Sequence, residues 1–239
     1  QPLGYIGDTV SISSAFLVNL LLTFVYTFLL LLYRSSLKQF YLIQFSDVNR
    51  DQALSVLEKV QKVIQKYLNG LIVVILILGT LNSVGLYFIG IDYALFWGFL
   101  AAFLAVIPYV GTTLGGLLPF LYALATTGSF WLPFLVFCWF GIIQVIEGNL
   151  ITPNIIGSSV QINPLAAILA LIIGAHIWGI SGMILSLPLI AIVRILFQQI
   201  DYLKPISLLL SDELYEKEKV FEDKFDKTRF RLFSFFKRN

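Results

Sequence analysis

The chain has 239 residues, 58% of them hydrophobic and only 13% charged, with a mean hydropathy of +0.87. Between Tyr67 and Val193 there is no Lys or Arg, and the only acids are Asp92 and Glu147. That excludes a water-soluble domain, whose surface needs far more charge, and a net charge of +2 without a basic domain gives nucleic acid no footing as a partner.

The lone cysteine, Cys138, excludes an intrachain disulfide and a cysteine metal site, and nothing in the sequence calls for a metal or other cofactor. The chain starts at Gln1, its single methionine is Met183, and it lacks the pattern of a signal peptide, so it reads as the C-terminal portion of a longer protein. The solvent for most of it is expected to be the lipid bilayer.

The first segment, residues 1–33, carries a continuous apolar run from Ser11 to Tyr33, long enough at about 20 residues to cross a hydrocarbon core of roughly 30 Å as a helix. Arg34 and Lys38 close it. Residues 34–70 form the next expected unit, an amphipathic helical linker in which Val48, Leu54, Val56, Leu57, Val60, Val63, Ile64 and Leu68 recur near helical spacing among Lys and Glu. Six basic residues between Arg34 and Lys66, and ten from Arg194 to Arg238, place the linker and the C-terminal tail in the cytoplasm by the positive-inside tendency.

Residues 71–200 are expected to form the transmembrane core. It contains six apolar pieces, near 71–88, 93–107, 112–126, 131–146, 165–178 and 180–197, with breaks near 108–116, 147–163 and 179–182. Several are too short for an upright span of about 20 residues. Six tilted crossings, or fewer crossings with re-entrant hairpins, would both return the chain to the cytoplasm. A long helix followed by a broken pair occurs twice, each pair meeting a proline, Pro119 or Pro188. Two tandem units with an odd number of crossings would form an inverted repeat, as in many secondary transporters. The expected fold is therefore all-α: a polytopic transmembrane helical bundle with short broken helices or hairpins. Asp92 is expected to cap the helix after it, and residues 201–239 to form a cytoplasmic amphipathic tail.

Chemistry concentrates at the breaks. Pro108, Tyr109, Gly111, Thr112, Gly115 and Gly116 form one, where proline removes a helix donor and glycines permit a turn. Backbone freed at membrane depth is tolerated only where protein or a water-filled cavity satisfies it. The second gathers Gln144, Glu147, Asn149, Pro153, Asn154 and Gly157, and an acid inside a membrane helix is a candidate functional group. The third is Gly179-Ile180-Ser181-Gly182, with His176 just before it.

Pro108-Tyr109-Val110-Gly111 with Gly115 and Pro119, then Glu147-Gly148-Asn149 with Pro153 and Gly157, then Gly179-Ile180-Ser181-Gly182 leading to Pro188, resembles the autoinducer-2 exporter family of bacterial membrane proteins over most of Tyr33 to Val193. The resemblance implies about eight membrane segments, about three of them missing from this chain's N-terminus. It also implies a bacterial inner-membrane location and a homo-oligomeric, pentameric transporter. Family members are associated with export of the quorum-sensing signal autoinducer-2, and others with Na+(Li+)/H+ antiport.

The function expected is secondary transport of a small polar signal molecule, coupled to protons or ions, with a Na+(Li+)/H+ antiporter as the alternative. Glu147 is the candidate coupling group, with Gln144, Asn149 and Asn154 holding a small polar solute or a monovalent cation, and the Pro108–Gly116 turn lining the pathway. The competing class is an intramembrane enzyme, since Gly179-Ile180-Ser181-Gly182 resembles the Gly-x-Ser-Gly element of rhomboid-type proteases. Those need a histidine on a later helix as base, whereas His176 precedes Ser181 by a five-residue offset that would turn the two apart on a continuous helix. His176 reads instead as packed and hydrogen-bonded in the bundle, or as a proton relay. A membrane scaffold without transport is the third class, and it would leave the polar clustering at the breaks unexplained.

Overall fold

A computed structural model describes residues 2–44, 47–108, 110–157 and 161–212. Among these, every extended regular element is helical: α1 (Pro2–Ile43), α2 (Asp47–Ile89), α3 (Ala94–Leu104), α4 (Val110–Thr126), α5 (Trp131–Ile146), α6 (Pro164–Phe197) and α7 (Lys204–Leu209). Helix α5 continues into two π-helical turns, Glu147–Ile151 and Pro153–Gly157, and a 3-10 turn, Asp201–Leu203, precedes α7. By length and composition, Ser13–Ile43, Arg50–Ile89, Trp131–Ile155 and Pro164–Phe197 are each apolar enough to cross a membrane. The chain is a multi-pass membrane protein.

By spatial clustering the chain divides into residues 1–57 and 58–239. Within the first unit, α1 continues past Arg34 to Ile43 without a break. The expected boundary at Gly70 is also absent, because α2 runs through it unbroken. A single glycine costs a helix only about 1 kcal/mol, less than the apolar run after it gains by staying hydrogen-bonded in lipid.

In the second unit, Tyr67, Val74, Leu78, Ala102, Ile143 and Ala191 form one buried cluster, which joins α2, α3, α5 and α6. Leu86, Ile91, Ala94, Ala123 and Val136 form another around the α3–α4 pair. At 11 residues, α3 spans only about 16 Å. The chain begins to turn back over 105–108, and the Ile107 carbonyl accepts from Gly111 N at 2.8 Å. A Cβ at position 111 would overlap the Leu104 carbonyl, so this tight return requires glycine. The N-cap of α3 is Tyr93, left-handed at φ 57°, with no side-chain capping bond, so Asp92 does not cap it as expected. The chain enters α3 from a sharp turn that leaves the carboxylate one position too early.

Helix α6 is long enough to span, yet it does not run straight. At Gly179, φ 60° and ψ −134° interrupt the helix, a conformation in which an L side chain would be strained. The arms 164–178 and 180–197 fold onto each other so closely that a Cβ on Gly182 would overlap the Gly174 carbonyl, and the reverse also holds. Each arm is about 22 to 27 Å long. At the base of this hairpin, Arg194 Nη1 donates to the Gln161 carbonyl at 2.8 Å, and Asn163 caps the first arm by accepting from Ala166 N at 2.7 Å.

Sequence alone assigns residues 201–212 to the tail, but they belong to this base. Ser207, Leu208 and Ser211 are buried, Asn163 N donates to the Leu210 carbonyl at 3.1 Å, and Ile162 pairs with Ser211. Burying Leu208 against the hairpin base removes apolar surface from water that a free tail would leave exposed. The rest of the expected amphipathic tail, 213–239, lies outside the described residues.

Pro188 sits inside the second arm and has no N–H to give the Ile184 carbonyl four residues earlier. The Tyr67 hydroxyl, on a side chain only 2% exposed, donates to that carbonyl at 2.7 Å and ties α2 to the hairpin.

Two outcomes follow from this packing. Gly182→Val should cost about 1–3 kcal/mol by overpacking the hairpin, read as a lower melting midpoint in detergent, whereas Gly141→Ala, which has open space around it, should leave the midpoint unchanged or raise it. Tyr67→Phe should cost about 0.6–1.7 kcal/mol, the span of interhelical hydrogen bonds in membranes. Pro188→Ala in the Tyr67→Phe background should recover part of that loss by restoring the missing N–H, and unfolding titrations of the four proteins give the cycle.

Candidate functional site

The acid at the end of α5 points into the bundle rather than ending a helix at the surface. Glu147 is half-buried and lines a cavity of about 20 Å³ with Leu78 and Asn82 of α2, Ala101 of α3 and its C-cap Ala105, Thr112 and Gly115 of α4, and Gln144 of α5. Among the described residues that line it none is basic, and Glu147 is the only ionisable one. The volume suits about one water molecule or a small ion.

The local backbone explains how Glu147 reaches this position. Asn149 Nδ2 donates to the Val145 carbonyl at 2.9 Å, the acceptor that the Asn149 backbone N–H would use in an α-helix. Pro153 supplies no N–H one turn later. The chain widens into π turns, with Thr152 N donating to the Glu147 carbonyl five residues back. Such widenings recur at functional sites.

Of the residues singled out from sequence, the structure brings Glu147, Gln144, Thr112 and Gly115 to one cavity. Asn149 and Asn154 are exposed and do not line it. Gly116 packs on Phe140, and Pro108 is half-buried in the α3–α4 turn outside the lining. Tyr109 lies outside the described residues. Pro153 and Gly157 frame the second π turn. Gly179 and Gly182 shape the hairpin, away from the cavity lining.

His176 is exposed on the first arm of α6, which replaces the reading that packs it in the bundle. Ser181 is also exposed, on the second arm. The two are separated by the Gly179 turn, so the continuous-helix argument for their divergence does not apply. Neither lines the Glu147 cavity.

Sequence reasoning missed Asn82. It is 4% exposed, lines the cavity, and its Oδ1 has no hydrogen-bond partner among the described residues. The signal was available, since Asn82-Ser83 is a polar pair inside an apolar helix, and buried amides without partners are costly. The glycine- and proline-marked breaks drew attention away from an unbroken helix.

A profile of AI-2E family transporters matches residues 3–201. The chain is 31% identical over 147 residues to the Bacillus subtilis (strain 168) protein YrrI, covering 62% of this chain and 41% of that protein. It is 30% identical over 170 residues to YueF of the same organism, covering 71% and 45%. To TqsA, the AI-2 transport protein of Escherichia coli (strain K12), it is 34% identical over 122 residues, covering 51% and 35%. The chain thus spans less than half the length of these curated relatives. A match that covers most of this chain, together with broken apolar helices around one carboxylate, places it by descent: the chain belongs to the AI-2E transporter family.

Proposed function

We propose that this chain forms the coupling core of a secondary transporter, in which Glu147 takes up and releases a proton as its cavity opens to alternate sides of the membrane. The observation that carries the reading is a cavity of about 20 Å³ among apolar helices, in which Glu147 is the one carboxylate, and no residue is basic, among the described lining residues. An acid in that setting is retained against its insertion cost because it exchanges a proton or a cation. The size suits a proton or one monovalent cation and is too small for a polyol, which favours cation/proton exchange at this site.

Similarity to TqsA supports a second reading, in which the solute moved is a small polar signal of the autoinducer-2 type. That solute would pass by a wider opening than this conformation provides, with Glu147 supplying the proton coupling. In both readings the protein sits in the bacterial inner membrane as a homo-oligomer, pentameric by resemblance, with residues 34–66 and the C-terminal tail cytoplasmic. Two full crossings, α2 and α5, with the α3–α4 and α6 hairpins entering from opposite faces, satisfy that sidedness and the inverted repeat.

The test is proton flux in proteoliposomes loaded with a pH-sensitive dye, on addition of NaCl, LiCl or the autoinducer-2 precursor. Cation-driven flux is expected in the wild type and should fall to the level of protein-free liposomes in Glu147→Gln, whose carboxamide takes up no proton. A folded Glu147→Gln protein with unchanged flux and pH dependence would remove the coupling role. Flux driven by the signal precursor alone would select the second reading.

A further inference from the structure

We infer that Asn82 is a direct ligand in the Glu147 cavity, its carboxamide oxygen taking a dehydrated monovalent cation when Glu147 is ionised and the carboxyl hydrogen when Glu147 is protonated. This rests on the cation/proton reading of the site and adds the residue that lets one cavity hold either occupant. The first observation is chemical: Asn82 Oδ1 is an acceptor, buried on a residue 4% exposed, with no donor among the described residues. In a membrane core a carbonyl oxygen is left bare only where something other than the protein's own donors completes it.

The second observation is spatial. Asn82 lines the same cavity as Glu147, on the opposing helix, and the space between the walls admits one small occupant. Thr112 and Gln144 add a hydroxyl and a carboxamide to the walls. Gly115 also lines it, and Pro119, four residues on, supplies no N–H to the Gly115 carbonyl. A set of neutral oxygens with one carboxylate is the donor chemistry of a hard cation. A single carboxylate balances a single positive charge, so the set fits Na+ or Li+ and leaves a divalent ion uncompensated.

The occupants exclude each other. A protonated Glu147 offers Asn82 a hydrogen and no charge; an ionised one offers the cation a charge and frees Asn82 to coordinate. The described walls from α2, α3, α4 and α5 contribute no other titratable or charged group, so competition between cation and proton runs through Glu147.

The experiment is equilibrium binding of radiolabelled Na+ to the purified protein in detergent at alkaline and acidic pH, with melting midpoints as a fold control. The wild type should bind at alkaline pH and release on acidification. Asn82→Leu, which keeps the side-chain volume and removes the oxygen, should keep the melting midpoint and lose affinity by about 10- to 100-fold, the scale of one direct polar contact to a charged partner. Equal affinity in a folded Asn82→Leu protein overturns the ligand role while leaving the coupling reading intact. A wild type that binds neither Na+ nor Li+ at any pH overturns the cation reading and this inference together. Should Asn82→Leu not fold, Asn82→Asp decides: a second carboxylate facing Glu147 across the cavity should move the pH of Na+ release upward, because like charges sharing a site hold a proton more tightly, and an unchanged release pH overturns the proposal.

Discussion

Hydrocarbon offers no hydrogen bonds, so every backbone group freed by a break in a helix must find a partner inside the protein. The contact between the Tyr67 hydroxyl and the Ile184 carbonyl is where this constraint is most visible. Pro188 breaks the donor ladder of the second α6 arm, and a side chain from α2 repairs it. With that repair the arm can pack its Ala191 face against Tyr67, Val74 and Leu78, and the hairpin has a fixed depth in the bundle. The same rule governs the return between α3 and α4, where Gly111 gives its N–H to Ile107, and the π turns, where Thr152 gives its N–H to Glu147.

Seen this way, the breaks are construction rather than interruption. Gly179 turns the chain, Gly174 and Gly182 let the arms touch, and Arg194 with Asn163 closes the base. Asn82, Thr112 and Gln144 gather around Glu147. Buried singly in so apolar a bundle, each of these side chains would cost free energy. Gathering them around one cavity makes the cost common to a single site, and that site is where a small polar occupant has something to bind.

Much of this was legible in the sequence because its signals are chemical and local. The absence of Lys and Arg between Tyr67 and Val193 marks the bilayer, and Pro108-Gly111 and Gly179-Gly182 mark the two returns. Glu147 stands out as an acid among apolar residues. What stayed hidden depends on partners distant in sequence. Asn82 gains meaning only when α2 faces Glu147, and Tyr67 only when Pro188 has left a carbonyl bare beside it. Residues 201–211 resemble a tail until Leu208 and Ser211 are seen buried at the hairpin base. Gly70 looked like a boundary because composition changes there, yet a change of solvent along a helix requires no change of backbone. Asn149 and Asn154 share a break with Glu147, but widening the helix into π turns leaves them outside the cavity wall.

The Tyr67 tie also sets an order of assembly. Its partners lie 117 residues apart in sequence, so the acceptor reaches the membrane only after α3, α4, α5 and the first arm of α6 have been made. Contacts of such separation form late, after the loop between them has lost its freedom. Until then Tyr67 stands in α2 without this acceptor, and the arm bearing Pro188 lacks this tie. The C-terminal hairpin is therefore the closing piece of this bundle, and a ribosome that stops before Ile184 releases a core whose central tie has only one end.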